Sequence, residues 1–231
     1  MDSSIQKIKD SITKNELNGI DLIQYCKDSL SFDTDKKIYH EILHLAHLKQ
    51  VSLSIQQLNQ VEIWIELLIK IIEISNFNTG YLIKQRANHY KDKTAFNIIH
   101  KGKIKTLSYS NLWKKISSIG KAISTFENGT EIPTIGLLTN NQLNGALLDL
   151  ACLSFGFKVI PIPLNATPEH ISYIIYHAEI SHIFIGGKTS YKIWNKIYRE
   201  HPITTILLDF NDDLEEGIIQ WEDFLERGNN T

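Results

Sequence analysis

Residues 134–185, TIGLLTNNQLNGALLDLACLSFGFKVIPIPLNATPEHISYIIYHAEISHIFI, decide the fold. Three short apolar runs, within "IPTIGLL", "KVIPIPL" and "SHIFIG", are separated by two segments with helical spacing. A nearly unbroken apolar run of this length suits a strand covered on both faces. The first intervening helix presents Leu143, Leu147, Leu150 and Ala151, and Asn140 or Asn141 is expected to cap it. The second opens with Thr167 as N-cap and Pro168 at the first helical position, where its missing N–H costs nothing.

The same alternation continues outward. "SYKIWNKIYRE" reads as a helix and "TTILLDF" as a further strand. Upstream, "KTAFNII" and "KIKTL" flank "HKG" as an early hairpin. "SYSNLWKKISSIGKAISTF" is then a helix capped by Ser108, with Leu112, Ile116, Ile119 and Ile123 on one face and Gly129 just beyond its end. Apolar strands alternating with amphipathic helices predict an α/β fold with a largely parallel, helix-covered sheet.

Before residue 75 the periodicity is helical, with Ile5, Ile8 and Ile12 at three- and four-residue steps. "SFDTDKK" supplies a turn and acidic residues for a helix start. "VEIWIELLIKIIEI" carries Glu62, Glu66, Lys70 and Glu73 on one narrow stripe and is otherwise apolar, so it is expected to be buried within a helical unit. The turn residues of "SNFNTG" suggest a linker, giving a helical extension over 1–75 and an α/β portion over 76–231.

A net charge of −2 at pH 7 supplies no general positive field, and the aromatic residues are not interleaved with a basic cluster, so no nucleic-acid partner is expected. The most apolar helix is too short and too charged to span a bilayer, and "MDSSIQKIKD" lacks the marks of a secretory signal. Cys26 and Cys152 form no C-x-x-C pair, and a reducing, cytoplasmic setting is the expectation.

Several motifs invite a chemical reading. "HEILHLAH", residues 40–47, contains His-Glu-x-x-His, the spacing by which a helix holds zinc beside a general base. His40, His44 and His47 would project within roughly 60° of one another. They are the metal-ligand candidates, yet Ile38, Ile42 and Leu45 occupy the opposite face, so the histidines are expected to form a solvated polar face. A peptidase would also need a further ligand and a substrate cleft, for which a short helical zone has little room.

"GGKT", 186–189, resembles the end of a phosphate loop, but that spacing requires glycine where His182 stands. It is read as a strand-to-helix turn. His177 and His182 read as surface or junction packing, and Cys152 in "LACLSFG" as a buried thiol. Asp209, Asp212, Asp213, Glu215 and Glu216 read as a solvated acidic loop, because a hard-metal site also needs converging geometry.

From about residue 80 to 228 the chain resembles the beginning of the AMP-forming acyl-activating enzymes, the adenylating superfamily that includes acyl-CoA synthetases, nearest to the long-chain fatty acid group. "LIKQRANHYKDKTAF" looks like the family's opening helix and first strand. "LSYSNLWKKISSIGKAI" is similar to its Thr-Tyr-x-Glu-Leu helix entry, with Ser108 and Asn111 in place of threonine and glutamate. "GFKVIPIPLNATPEHISYII" followed by "HAEISHIFI" is the strongest portion, with Phe155-Gly156 where the family commonly has Ala-Gly. "TTILLDF" and "IIQWEDFLERG" resemble the segments before the family's nucleotide loop.

The resemblance implies an incomplete N-terminal portion of an adenylating domain, truncated relative to the family. The complete family activates a carboxylic acid, here a fatty acid, with ATP to an acyl-adenylate and transfers it to coenzyme A. ATP, Mg2+ and coenzyme A are therefore the cofactors of the complete enzyme, and none is expected for this chain alone. The family's Ser/Thr/Gly-rich phosphate loop and its later catalytic lysine have no counterpart in the sequence. No catalytic or cofactor-binding residue is carried over, and the chain by itself is expected to be inactive. A separate C-terminal polypeptide or self-association would supply what is missing. The alternatives are a non-catalytic interaction or regulatory protein on a degenerate scaffold and, more distantly, a helical metal-binding module using His40, His44 and His47.

Overall fold

The computed structural model describes residues 3–32, 34–100, 102–126, 132–209 and 217–229. Gly129 and the acidic residues Asp212, Asp213, Glu215 and Glu216 lie outside them. The chain divides between Asn78 and Thr79 into two compact units.

The described residues of the first unit form α1 (Ser3–Thr13), α2 (Gly19–Ser31), α3 (Lys36–Leu45), α4 (Lys49–Gln57) and α5 (Val61–Ser75). Asn18 and Asp35 cap α2 and α3 by accepting the N–H groups of Ile20 and Lys37, which would otherwise be unsatisfied. Ile5, Ile8, Ile12, Leu22, Tyr39, Ile42, Trp64 and Ile71 close around one core. Inside it the Tyr39 hydroxyl donates to the Ser29 carbonyl at 2.8 Å, satisfying a phenol that burial would otherwise penalise.

Helix α5 departs from the buried helix expected. Trp64, Leu67 and Ile71 face the core, but Ile65, Ile69 and Ile72 remain exposed. Within this unit α2, α3 and α4 pack against α5, and these three short helices cover one side of a fifteen-residue cylinder.

The second unit begins with α6 (Thr79–Tyr90) and the antiparallel hairpin of β1 (Thr94–His100) and β2 (Lys103–Ser108). In α7 (Tyr109–Ser124) Ser108 Oγ accepts the Asn111 N–H at 3.4 Å, and Leu112, Ile116, Ile119 and Ile123 are buried. The chain continues through β3 (Thr134–Thr139), α8 (Leu143–Phe155), β4 (Lys158–Pro161), α9 (Pro168–His177), β5 (His182–Gly186), α10 (Lys188–Trp194), β6 (Thr204–Leu207), β7 (Ile219–Gln220) and α11 (Trp221–Arg227).

The strands order β4-β3-β5-β6-β7, and every pairing is parallel. The fold is the α/β, helix-covered parallel sheet that the alternation predicts. Successive side chains explain how both faces are filled. Ile135, Leu137, Phe184 and Ile206 join α7, α8 and α11 on one face, whereas Leu138, Ile183, Ile185 and Leu207 join α9 and α10 on the other.

Two local expectations fail. Neither Asn140 nor Asn141 caps α8; Gln142 occupies the cap position without a side-chain capping bond. The segment "SYKIWNKIYRE" is a seven-residue α10 followed by a 3-10 turn at Tyr198–Glu200 rather than one helix. The break accompanies complete burial of Trp194, whose indole donates to Thr205 Oγ1 at 3.2 Å.

His182 begins β5 with its ring stacked on Phe126, centroids 4.1 Å apart, and Phe126 stacks in turn on Phe224. Burial, reinforced by the charge of Arg227, pushes the imidazole down to about 4 from its ordinary 6.5. The unfolded ring gains a proton near pH 6.5, whereas the folded ring resists it until about pH 4. The associated stability is full above pH 6.5 and drains as pH falls through that window. Screening at the partly exposed ring reduces its size to about 1–2 kcal/mol. Urea midpoints measured at about pH 7.5 and about pH 4.5 should therefore separate further in the natural chain than in His182→Phe. An identical pH dependence in both proteins would remove this histidine as the cause.

Candidate functional site at the carboxyl ends of the sheet

In a parallel sheet, connections leave the carboxyl ends of the strands, and a crevice opens where successive connections run to opposite sides. Here β3 leads through α8 to β4 on one side, and β4 returns through α9 to β5 on the other. The switch point therefore lies between the ends of β3 and β5, at Thr139 and Gly186.

A short polar network closes it. Gln142 Nε2 donates to Thr139 Oγ1 at 2.8 Å, and the Thr139 hydroxyl donates to the Asn140 carbonyl at 3.0 Å. A Cβ on Gly186 would collide with both Gln142 Nε2 and Thr139 Oγ1, so the bare backbone makes room for the amide–hydroxyl pair. The Gly187 N–H donates to Asp209 Oδ1 at 2.9 Å, and Asn144 Nδ2 donates to the Leu208 carbonyl at 2.5 Å. Thus the ends of β3, β5 and β6 are joined by side chains rather than by strand pairing alone. Beside them lies a recess of about 440 Å³ lined by Asn144, Leu207, Leu208, Asp209, Gln220, Trp221 and Glu222.

The chemistry of this network is neutral and acidic. Asp209 already receives a backbone donor, and Thr139 Oγ1 accepts from Gln142 while its hydroxyl donates to the Asn140 carbonyl. These groups form a preorganised wall, but their charge does not suit a triphosphate, so no phosphoryl-transfer step is assigned to them. Gly187 begins α10 without a side-chain capping bond, and the turn at "GGKT" is the strand-to-helix connection read from the sequence.

The motif histidines lie elsewhere, in the first unit. His40 and His44 are on α3, while that helix ends at Leu45 and leaves His47 exposed in the following turn. His44 is only 9% exposed, correcting the expectation of a solvated histidine face. Tyr39, Ile42, Leu43 and Leu45 are buried with it, so core contacts extend around much of this short helix and enclose even its polar side. His40 packs edge-on to Phe77 with centroids 5.1 Å apart, and burial lowers its pKa. Among the described residues no three His, Cys, Asp or Glu side chains are arranged to hold a metal ion. Cys152 is a buried thiol on α8, pushed up to about 12 by burial with a contribution from Asp149. His177 stacks on Tyr173 at 5.4 Å.

Thr139, Gln142, Asn144 and Gly186 were not distinguishable as site residues from their types alone. Their available signal was position: each stands at, or just after, the carboxyl end of a strand or opens the helix that follows.

This arrangement defines a doubly wound α/β domain whose crevice lies at the carboxyl ends of its strands. Residues 83–229 match the profile of the AMP-binding enzymes, and the chain belongs to that family. Its fold is similar to coronafacic acid ligase from Pectobacterium brasiliense, at 20% identity and TM-score 0.56 over 65% of this chain and 29% of that one. A putative long-chain-fatty-acid CoA ligase from Rhodopseudomonas palustris matches at 14% identity and TM-score 0.54, over 64% and 36% of the respective chains. A fatty acyl CoA synthetase from Mycobacterium tuberculosis matches at 16% identity and TM-score 0.50, over 67% and 28%. The chain therefore spans about a third of the length of these solved relatives. No curated protein matches it.

Proposed function

We propose that this chain is the N-terminal portion of a carboxylic acid ligase acting on fatty acids in a cytoplasmic setting. The complete enzyme would use Mg-ATP to form an acyl-adenylate and release pyrophosphate, then pass the acyl group to coenzyme A. The observation carrying the reading is the family match over 83–229 coinciding with the parallel sheet and its switch point. The chain's role is to build the wall formed by Thr139, Gln142, Gly186 and Asp209. Groups that stabilise charge on the transferring phosphoryl belong to another part of the domain, because this wall lacks suitable cations.

A second reading, a non-catalytic interaction protein, is favoured by the exposed Ile65, Ile69 and Ile72 on α5. Pyrophosphate exchange separates the two readings. The purified 231-residue chain with Mg-ATP and a series of fatty acids should show no exchange above background. Adding a polypeptide that carries the remainder of a family domain should restore it. Exchange by the chain alone would overturn the division of labour, and failure after complementation would favour the interaction protein.

A further inference from the structure

We draw no further inference here: the strongest candidate, the exposed stripe of Val61, Ile65, Ile69 and Ile72 along α5 of the first unit, is an unpartnered apolar face and nothing in the structure shows what covers it.

Discussion

Phe184→Ala is expected to destabilise the α/β unit by about 3–5 kcal/mol, the largest effect anticipated for a single core residue. Phe184 is fully buried in β5, a strand with neighbours on both sides. Its ring meets Trp221 and Phe224 edge-on, at centroid distances of 6.4 Å and 5.1 Å. Truncation therefore removes apolar burial, two aromatic contacts and the filling of the core beneath α11. Adjacent Ile183 and Ile185 face the opposite core and cannot swing across without reversing the strand's alternation. Urea denaturation followed by tryptophan fluorescence and circular dichroism would measure the loss. A change below about 1 kcal/mol would mean that this core collapses around the missing ring or is packed differently.

Gly80→Ala tests the other end of the same face. In an isolated helix the substitution would favour folding by up to about 1 kcal/mol. Here the added Cβ would lie 2.5 Å from the Ser154 carbonyl oxygen and 3.1 Å from the Ser154 Cα, both backbone atoms of α8. Neither can rotate away, so α6 and α8 must separate, opening the packing around Ile83 and Cys152. Overpacking outweighs propensity, and a net loss of about 1–3 kcal/mol is expected by urea denaturation. Alanine at Asn88, on an exposed position of the same helix, provides the propensity control. Stabilisation by Gly80→Ala comparable to that control would show that the two helices do not approach this closely.

The contrast between the two glycines shows where residue type stops being informative. Gly80 lies in a helix and Gly186 ends a strand, and neither has a positive φ that would explain glycine by backbone conformation. Their need is for space: Ser154 of α8 approaches the first, and Gln142 and Thr139 fill the place of a side chain at the second. Those neighbours are 74, 44 and 47 positions away in the chain, so local spacing carries no trace of them.

Periodicity was more reliable for elements than for their surroundings. The spacing of Leu112, Ile116, Ile119 and Ile123 identified both α7 and its buried face, because a single 3.6-residue repeat records helix and burial together. The same reasoning failed for α3 and α5. An amphipathic pattern names the preferred buried stripe but not how far neighbouring helices extend around the cylinder. In α3 they enclose His44, and in α5 they leave Ile65, Ile69 and Ile72 uncovered.

The amino-acid sequence by itself determined the alternation of strand and helix, the capping of α7 and α9 by Ser108 and Thr167, and the family to which residues 83–229 belong. These rest on interactions within a few residues or on a linear order of segments. Only the tertiary structure decided that Thr139, Gln142, Gly186, Gly187 and Asp209 meet at one edge, that His182 at the start of β5 stacks on Phe126, and that Ile99 and Ile104 stand exposed together. Strand order and packing angle bring distant residues within hydrogen-bond or van der Waals range, and that proximity creates chemistry absent from each local segment.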